Sequence, residues 1–96
     1  MKESTYQRKI IDKLRDMFPG CVVLKNDAGY ISGIPDLSIF YNDKWAMLEV
    51  KVSRDAATQP NQYHYINTLN AMSFASLIYP ENEEAVLYAL QSAFRS

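Results

Sequence analysis

Cysteine is nearly absent: Cys21 stands alone, so the chain cannot close a disulfide within itself, a composition suited to a reducing cytoplasm. At the start of a strand, Cys21 reads as a small core residue rather than a nucleophile. Histidine is as scarce. His64 is the only one, and it falls two residues past Gln62, roughly opposite it on a helix, which suits a surface or packing role. A surplus of charge is missing too. Ten basic and eleven acidic residues leave a net charge of −1, with no global attraction for nucleic acid. No apolar run approaches the length of a membrane span, and the opening MKESTYQRK is too polar for a signal peptide. Repeats, linkers and low-complexity tracts are lacking. The 96 residues, 48% apolar and 22% charged, suit one globular domain over residues 1–96, neither disordered nor fibrous. So short a chain buries a modest core, which makes a homodimer a natural enlargement.

What is present is patterned. Basic residues crowd the first quarter of the chain, where Lys2, Arg8, Lys9, Lys13, Arg15 and Lys25 outnumber Glu3, Asp12 and Asp16, while PENEE at 80–84 is acidic. That end can touch phosphate or simply present a solvated helix face. Tyr6, Ile10, Ile11, Leu14, Met17 and Phe18 recur at helical spacing over 4–18; Ser4 with Gln7 resembles a capping box, and Pro19-Gly20 ends the helix. CVVLK at 21–25 predicts a strand and NDAGYISG at 26–33 a loop. A second strand runs from Asp36 to Tyr41 and a third from Lys44 to Val52, joined by the turn residues Asn42-Asp43. Thr58 can cap a helix with Pro60 in its first turn and Tyr65, Ile66, Leu69 and Met72 as its apolar face. SFASLIY at 73–79 predicts a fourth strand. A last helix follows with Val86, Leu87, Leu90 and Phe94 on one stripe. The expected fold is α/β, a small mixed sheet flanked by helices in the order α-β-β-β-α-β-α.

A two-residue loop at Asn42-Asp43 pairs Tyr41 with Lys44, and the same register places Asp36 opposite Glu49. Directly opposed side chains have Cβ atoms roughly 5 Å apart. Glu49 and Lys51 share that face because side chains alternate along a strand, while Val50 points into the opposite core. In AMLEVKV, 46–52, two charges therefore sit inside an apolar run, and a third faces them from the neighbouring strand. Facing carboxylates repel, and burial aggravates the conflict. One resolution is a hard divalent cation, Mg²⁺ or Mn²⁺, between Asp36 and Glu49, with Lys51 steering a water toward a phosphodiester. The other is a half-buried ion pair in which Lys51 only neutralises the acids. A register slip of one residue would separate Asp36 from Glu49.

GIPDL at 33–37, EVK at 49–51 and QPNQ at 59–62 together resemble the PD-(D/E)XK nuclease superfamily, and within it a stand-alone VRR-NUC domain of the compact kind encoded by phages. The resemblance spans nearly the whole chain. It implies that Asp36, Glu49 and the Val50 carbonyl bind the metal, that Lys51 is catalytic, and that Gln62, with Gln59 as its rival, opens the helix after the catalytic strand. It also matches Glu3 to metal or water through the first helix, and Lys25 to phosphate; Lys9 and Lys13, from the basic first quarter, are further candidate nucleic-acid contacts. Tyr30, Tyr63 and Tyr65 are available to stack on bases. The implied activity is Mg²⁺- or Mn²⁺-dependent endonucleolytic cleavage of branched or Holliday-junction-like DNA by a homodimer, with no membrane involved, in the bacterial host cytoplasm of a phage. A catalytically silent nuclease fold that binds DNA or a partner protein is the alternative, and a hydrolase of another phosphoester is a third.

Overall fold

The apolar stripe near the N-terminus does wind into a helix. In the structure, a computed structural model that describes residues 1–95, α1 covers Glu3–Met17 and buries Tyr6, Ile10, Ile11 and Leu14. β1 (Val22–Lys25), β2 (Leu37–Tyr41) and β3 (Lys44–Val50) follow, then α2 (Pro60–Met72), β4 (Phe74–Ile78) and α3 (Glu83–Arg95). The order is the expected α-β-β-β-α-β-α around one mixed four-stranded sheet, β1-β2-β3-β4. β1, β2 and β3 run antiparallel, and β4 joins β3 in parallel. A parallel neighbour needs a crossover, which α2 supplies. Among the described residues no helix is long and apolar enough to cross a membrane.

Asn42 turns the hairpin at φ 55°, a left-handed conformation that asparagine tolerates better than most residues. Tyr41 consequently pairs with Lys44, Phe40 with Trp45, Ser38 with Met47 and Leu37 with Leu48. Leu37, Ile39, Ala46, Leu48, Val50 and Ile78 form one buried face, packed with the apolar stripes of α1 and α3. The rings of Phe18, Tyr41 and Phe94 meet at 5.0–5.8 Å within this core. Cys21 packs against it as expected, and burial pushes its thiol up. Glu83 ties α3 to α1 by accepting hydrogen bonds from the Tyr6 hydroxyl at 2.8 Å and from Lys13.

The opposite face is only half covered. α2 packs on β4 and the adjoining part of β3, and none of its residues is fully buried. Val22, Leu24 and Phe40 remain 53%, 50% and 43% exposed, because one short helix cannot roof four strands.

Element ends depart from expectation where side chains compete for backbone groups. Lys2, not Ser4, precedes α1, without a side-chain cap bond; Ser4 already lies inside the first turn, so the Ser4–Gln7 capping box does not form. α2 is capped by Gln59 rather than Thr58. The Gln59 side chain accepts from the backbone amide of Gln62, whose own side chain accepts the Gln59 amide at 2.9 Å. Met72 is exposed rather than packed, since α2 ends there and the chain turns at Ser73. β3 stops at Val50, two residues early, for a reason that lies in the site.

Candidate functional site

Three cross-strand rows cross the face beneath α2. The registers place Val22, Phe40 and Trp45 in one row and Leu24, Ser38 and Met47 in the next. Continued one step, they align Asn26, Asp36 and Glu49 in the third. The last row is where the ladder gives way to side-chain bonding. Val50 would face Pro35, which has no N–H, and the Pro35 carbonyl is taken by Asn26 Nδ2 at 2.9 Å. The Val50 amide donates instead to Asp36 Oδ2 at 2.8 Å.

Glu49 is the hub. It is 3% exposed. Its Oε1 accepts the Asp36 amide at 3.2 Å, and its Oε2 accepts Gln62 Nε2 at 2.8 Å. Lys51 Nζ lies 3.3 Å from Glu49 Oε2 and donates to Gln62 Oε1, also at 3.3 Å. Gln62 therefore bridges base and acid, with its orientation set by the Gln59 amide. Lys51 is 9% exposed, and its backbone amide still bonds the Ile78 carbonyl at 2.9 Å, which anchors it to β4 just past the end of β3.

Asn26 holds Asp36 from the other side. Its amide donates to the Asp36 carbonyl at 2.8 Å, and its Oδ1 accepts the Ser38 hydroxyl at 2.9 Å. The loop between β1 and β2 is docked onto the start of α2, where Asn61 Nδ2 donates to Ser32 Oγ at 2.8 Å. Gly33 makes this approach possible. At φ +90° a Cβ would lie 2.8 Å from the Asn61 carbonyl carbon. The same docking places Gln62, one residue along.

Electrostatics follow from this crowding. Burial, reinforced by the Asp36 charge, pushes Glu49 up to about 7, against the pull of Lys51 and the Asp36 amide. Burial also raises Asp36, opposed by the Val50 amide and Lys51. One ammonium does not neutralise two acids. The oxygen donors of Asp36, Glu49 and the Val50 carbonyl suit a hard divalent ion in chemical type, and no hydrogen bond from the described residues occupies Asp36 Oδ1.

Asp36, Glu49, Lys51, Gln62 and Val50 thus meet as expected. Others do not. Glu3 is exposed in the first turn of α1, which packs on the opposite side of the sheet. Among the described residues no group of three or more His, Cys, Asp or Glu side chains is placed to hold a metal, so Glu3 does not complete such a group with the two acids. Lys13 pairs with Glu83, and Lys9 adds its charge there. Despite some burial, hydrogen bonds from Lys13 and Tyr6 hold Glu83 below the usual carboxylate range. Lys13 therefore serves the contact between α1 and α3, and Lys9 is exposed on the same helix, on the other side of the sheet from this row. Lys25 is exposed at the end of β1, next to Asn26. Gln59 is a helix cap, and His64 is exposed, edge-on to Tyr65 at 5.2 Å.

Asn26 was not recognisable from the sequence. Its only signal is an asparagine at the end of a strand, and its partner depends on a β1–β2 register that the long loop does not encode. The chain matches no family model, no curated protein and no solved structure. Its own residues are therefore the basis for assigning a role.

Proposed function

We propose that the chain is a metal-dependent endonuclease of the PD-(D/E)XK type, similar to a stand-alone VRR-NUC domain. The convergence of Asp36, Glu49, Lys51 and Gln62 at one end of a single sheet face carries this reading. Asp36, Glu49 and the Val50 carbonyl would hold Mg²⁺ or Mn²⁺. Bound there, the ion supplies Lewis-acid activation of water and phosphate. Lys51 orients the attacking water and steadies charge developing on the phosphate oxygens. Gln62 holds Lys51 and Glu49 in one geometry. The water oxygen bonds to phosphorus as one P–O ester bond breaks; the water gives up a proton to solvent and the leaving oxygen takes one from solvent, giving a phosphomonoester and a hydroxyl. The substrate in this reading is DNA, branched or junction-like, cut by a homodimer whose two sites address equivalent strands, in the cytoplasm.

The test is a cleavage panel of junction, nicked, linear and single-stranded DNA with RNA controls. Mg²⁺- or Mn²⁺-dependent cutting by the wild type is expected to fall at least about a hundredfold in Asp36→Asn and Lys51→Ala, with folding intact. Equal cutting by all three proteins would sink the assignment. Sedimentation of the wild type tests the dimer.

One observation favours a second reading, a catalytically silent module that binds DNA or a partner. Among the described residues every buried polar side-chain atom already has a hydrogen-bond partner, so Lys51 and Glu49 are satisfied as a structural pair. Mn²⁺ separates the two. An ion that binds only the folded state must stabilise it, and the silent module predicts no stabilisation.

A further inference from the structure

Beside the carboxylate row lies a cleft of about 520 Å³ lined by Asn26, Asp27, Tyr30, Ile31, Ile34 and Met47. It shares Asn26 with the site, and Met47 lies on the same face as Glu49, about 7 Å along β3. We propose that this cleft receives an unpaired nucleobase of the strand whose phosphate lies at Asp36 and Glu49. The inference rests on the nuclease reading and specifies its substrate class.

The lining selects the occupant. No lysine or arginine faces the cleft, and its one charged wall is Asp27, which would repel a phosphate. A neutral, planar ring with apolar faces and amino donors on its edge fits these walls, and the Asp27 carboxylate can accept from such donors. Tyr30 lines the cleft and is 85% exposed, the most exposed of the large apolar side chains. Its turn is nonetheless closed by hydrogen bonds. The Asp27 carboxylate accepts the Gly29 amide at 2.7 Å, and the Asp27 carbonyl accepts the Tyr30 and Ile31 amides at 3.1 and 3.3 Å. The docking of Ser32 and Gly33 on Asn61 fixes the far end of the same loop. An aromatic ring on a hydrogen-bonded turn, next to a proposed phosphate site, is a stacking surface.

A base inside a duplex cannot enter such a cleft without leaving the stack. The favoured substrate therefore has an unpaired nucleotide beside the phosphate that is cut, as at a flap or an open junction, rather than intact duplex.

Binding is read by fluorescence anisotropy in Ca²⁺, a hard divalent ion that takes the same oxygen ligands, with short fluorescein-labelled oligodeoxynucleotides checked intact on a gel. These are single-stranded, blunt duplex, or an all-abasic single strand of the same length. Tyr30→Ala is expected to weaken single-strand binding at least about fivefold, the lower end of what one stacked base contributes. Tyr30→Phe should bind as the wild type does. On the abasic strand Tyr30→Ala should lose nothing further, and on duplex it should be neutral. Met47→Ala, at a residue that also lines the cleft, should weaken single-strand binding in the same direction. Equal binding by the wild type and Tyr30→Ala overturns the inference, as does a wild type that binds no oligonucleotide. So does a Tyr30→Ala variant that turns a sedimenting dimer into a monomer, since the cleft would then belong to a second copy. The nuclease reading fails separately. Tyr30-dependent binding without any metal-dependent cutting supports the base cleft and removes the hydrolysis, whereas cutting without a Tyr30 effect removes only the cleft.

Discussion

Glu49 carries a conflict that can be measured. Its folded-state value, about 7, lies above the ordinary 4.5, so folding favours the protonated form. The associated stability is fully present below about pH 4.5 and is lost as pH rises through 7. Without divalent ions, urea denaturation should show stability falling between about pH 5 and about pH 8, by at most on the order of 3 kcal/mol. Asp36, raised by burial as well, adds a loss of the same sign. Glu49→Gln removes the charge but keeps the shape, and should leave only a shallower loss, the part contributed by Asp36. An equally steep profile in Glu49→Gln would place the titrating group elsewhere.

The loop between β1 and β2 and the first turn of α2 act as one unit, because Gly33 and Ser32 fit against Asn61. Gly33→Ala forces a side chain into a left-handed conformation and into the Asn61 backbone. It should cost about 1–3 kcal/mol in urea denaturation and displace Gln62 from Glu49, lowering cleavage as well as stability. Gln62→Ala is different. It leaves the loop seated but removes the bridge between Lys51 and Glu49, so it should reduce cleavage more than it reduces stability. At this scale the sequence was readable in uneven measure. Asn42-Asp43 announced a tight turn, and the turn alone set the β2–β3 register that aligns Asp36 with Glu49. The caps were harder to foresee, because Ser4, Thr58 and Gln59 are all able to cap and only the packed helix ends decide between them. Asn26 was harder still, since its bonds to Asp36 and Pro35 come from a pairing across a long loop.

Across the whole molecule, burial is lopsided. α1 and α3 cover one sheet face, while α2 covers half of the other and leaves the Asn26–Asp36–Glu49 row at the border of an open apolar shelf. Two consequences follow for binding in solution. Mn²⁺ at a hundred times its dissociation constant should stabilise the wild type by about 2.7 kcal/mol, read as a shift in thermal unfolding that Asp36→Asn abolishes. DNA affinity should depend only weakly on salt. Lys13 is paired with Glu83 on the far side, Lys9 lies on the same helix, and the net charge is −1, so few phosphates should be neutralised. A plot of log affinity against log salt should slope at roughly −1 to −3, since each neutralised phosphate contributes about −0.9. A much steeper slope would mean that the bound DNA runs over more basic residues than those beside the carboxylates.

Local patterns in the chain were enough to determine the element order, the hairpin register and the facing of Asp36, Glu49 and Lys51, because periodicity and a two-residue turn act over short separations. Tertiary structure alone decided that Gln62 rather than Gln59 enters the site, that Glu3, Lys9 and Lys13 stay away, and that Asn26 and a neutral cleft border the acids. Those outcomes depend on which face each helix covers and how a long loop docks, and contacts between distant segments are absent from any local pattern.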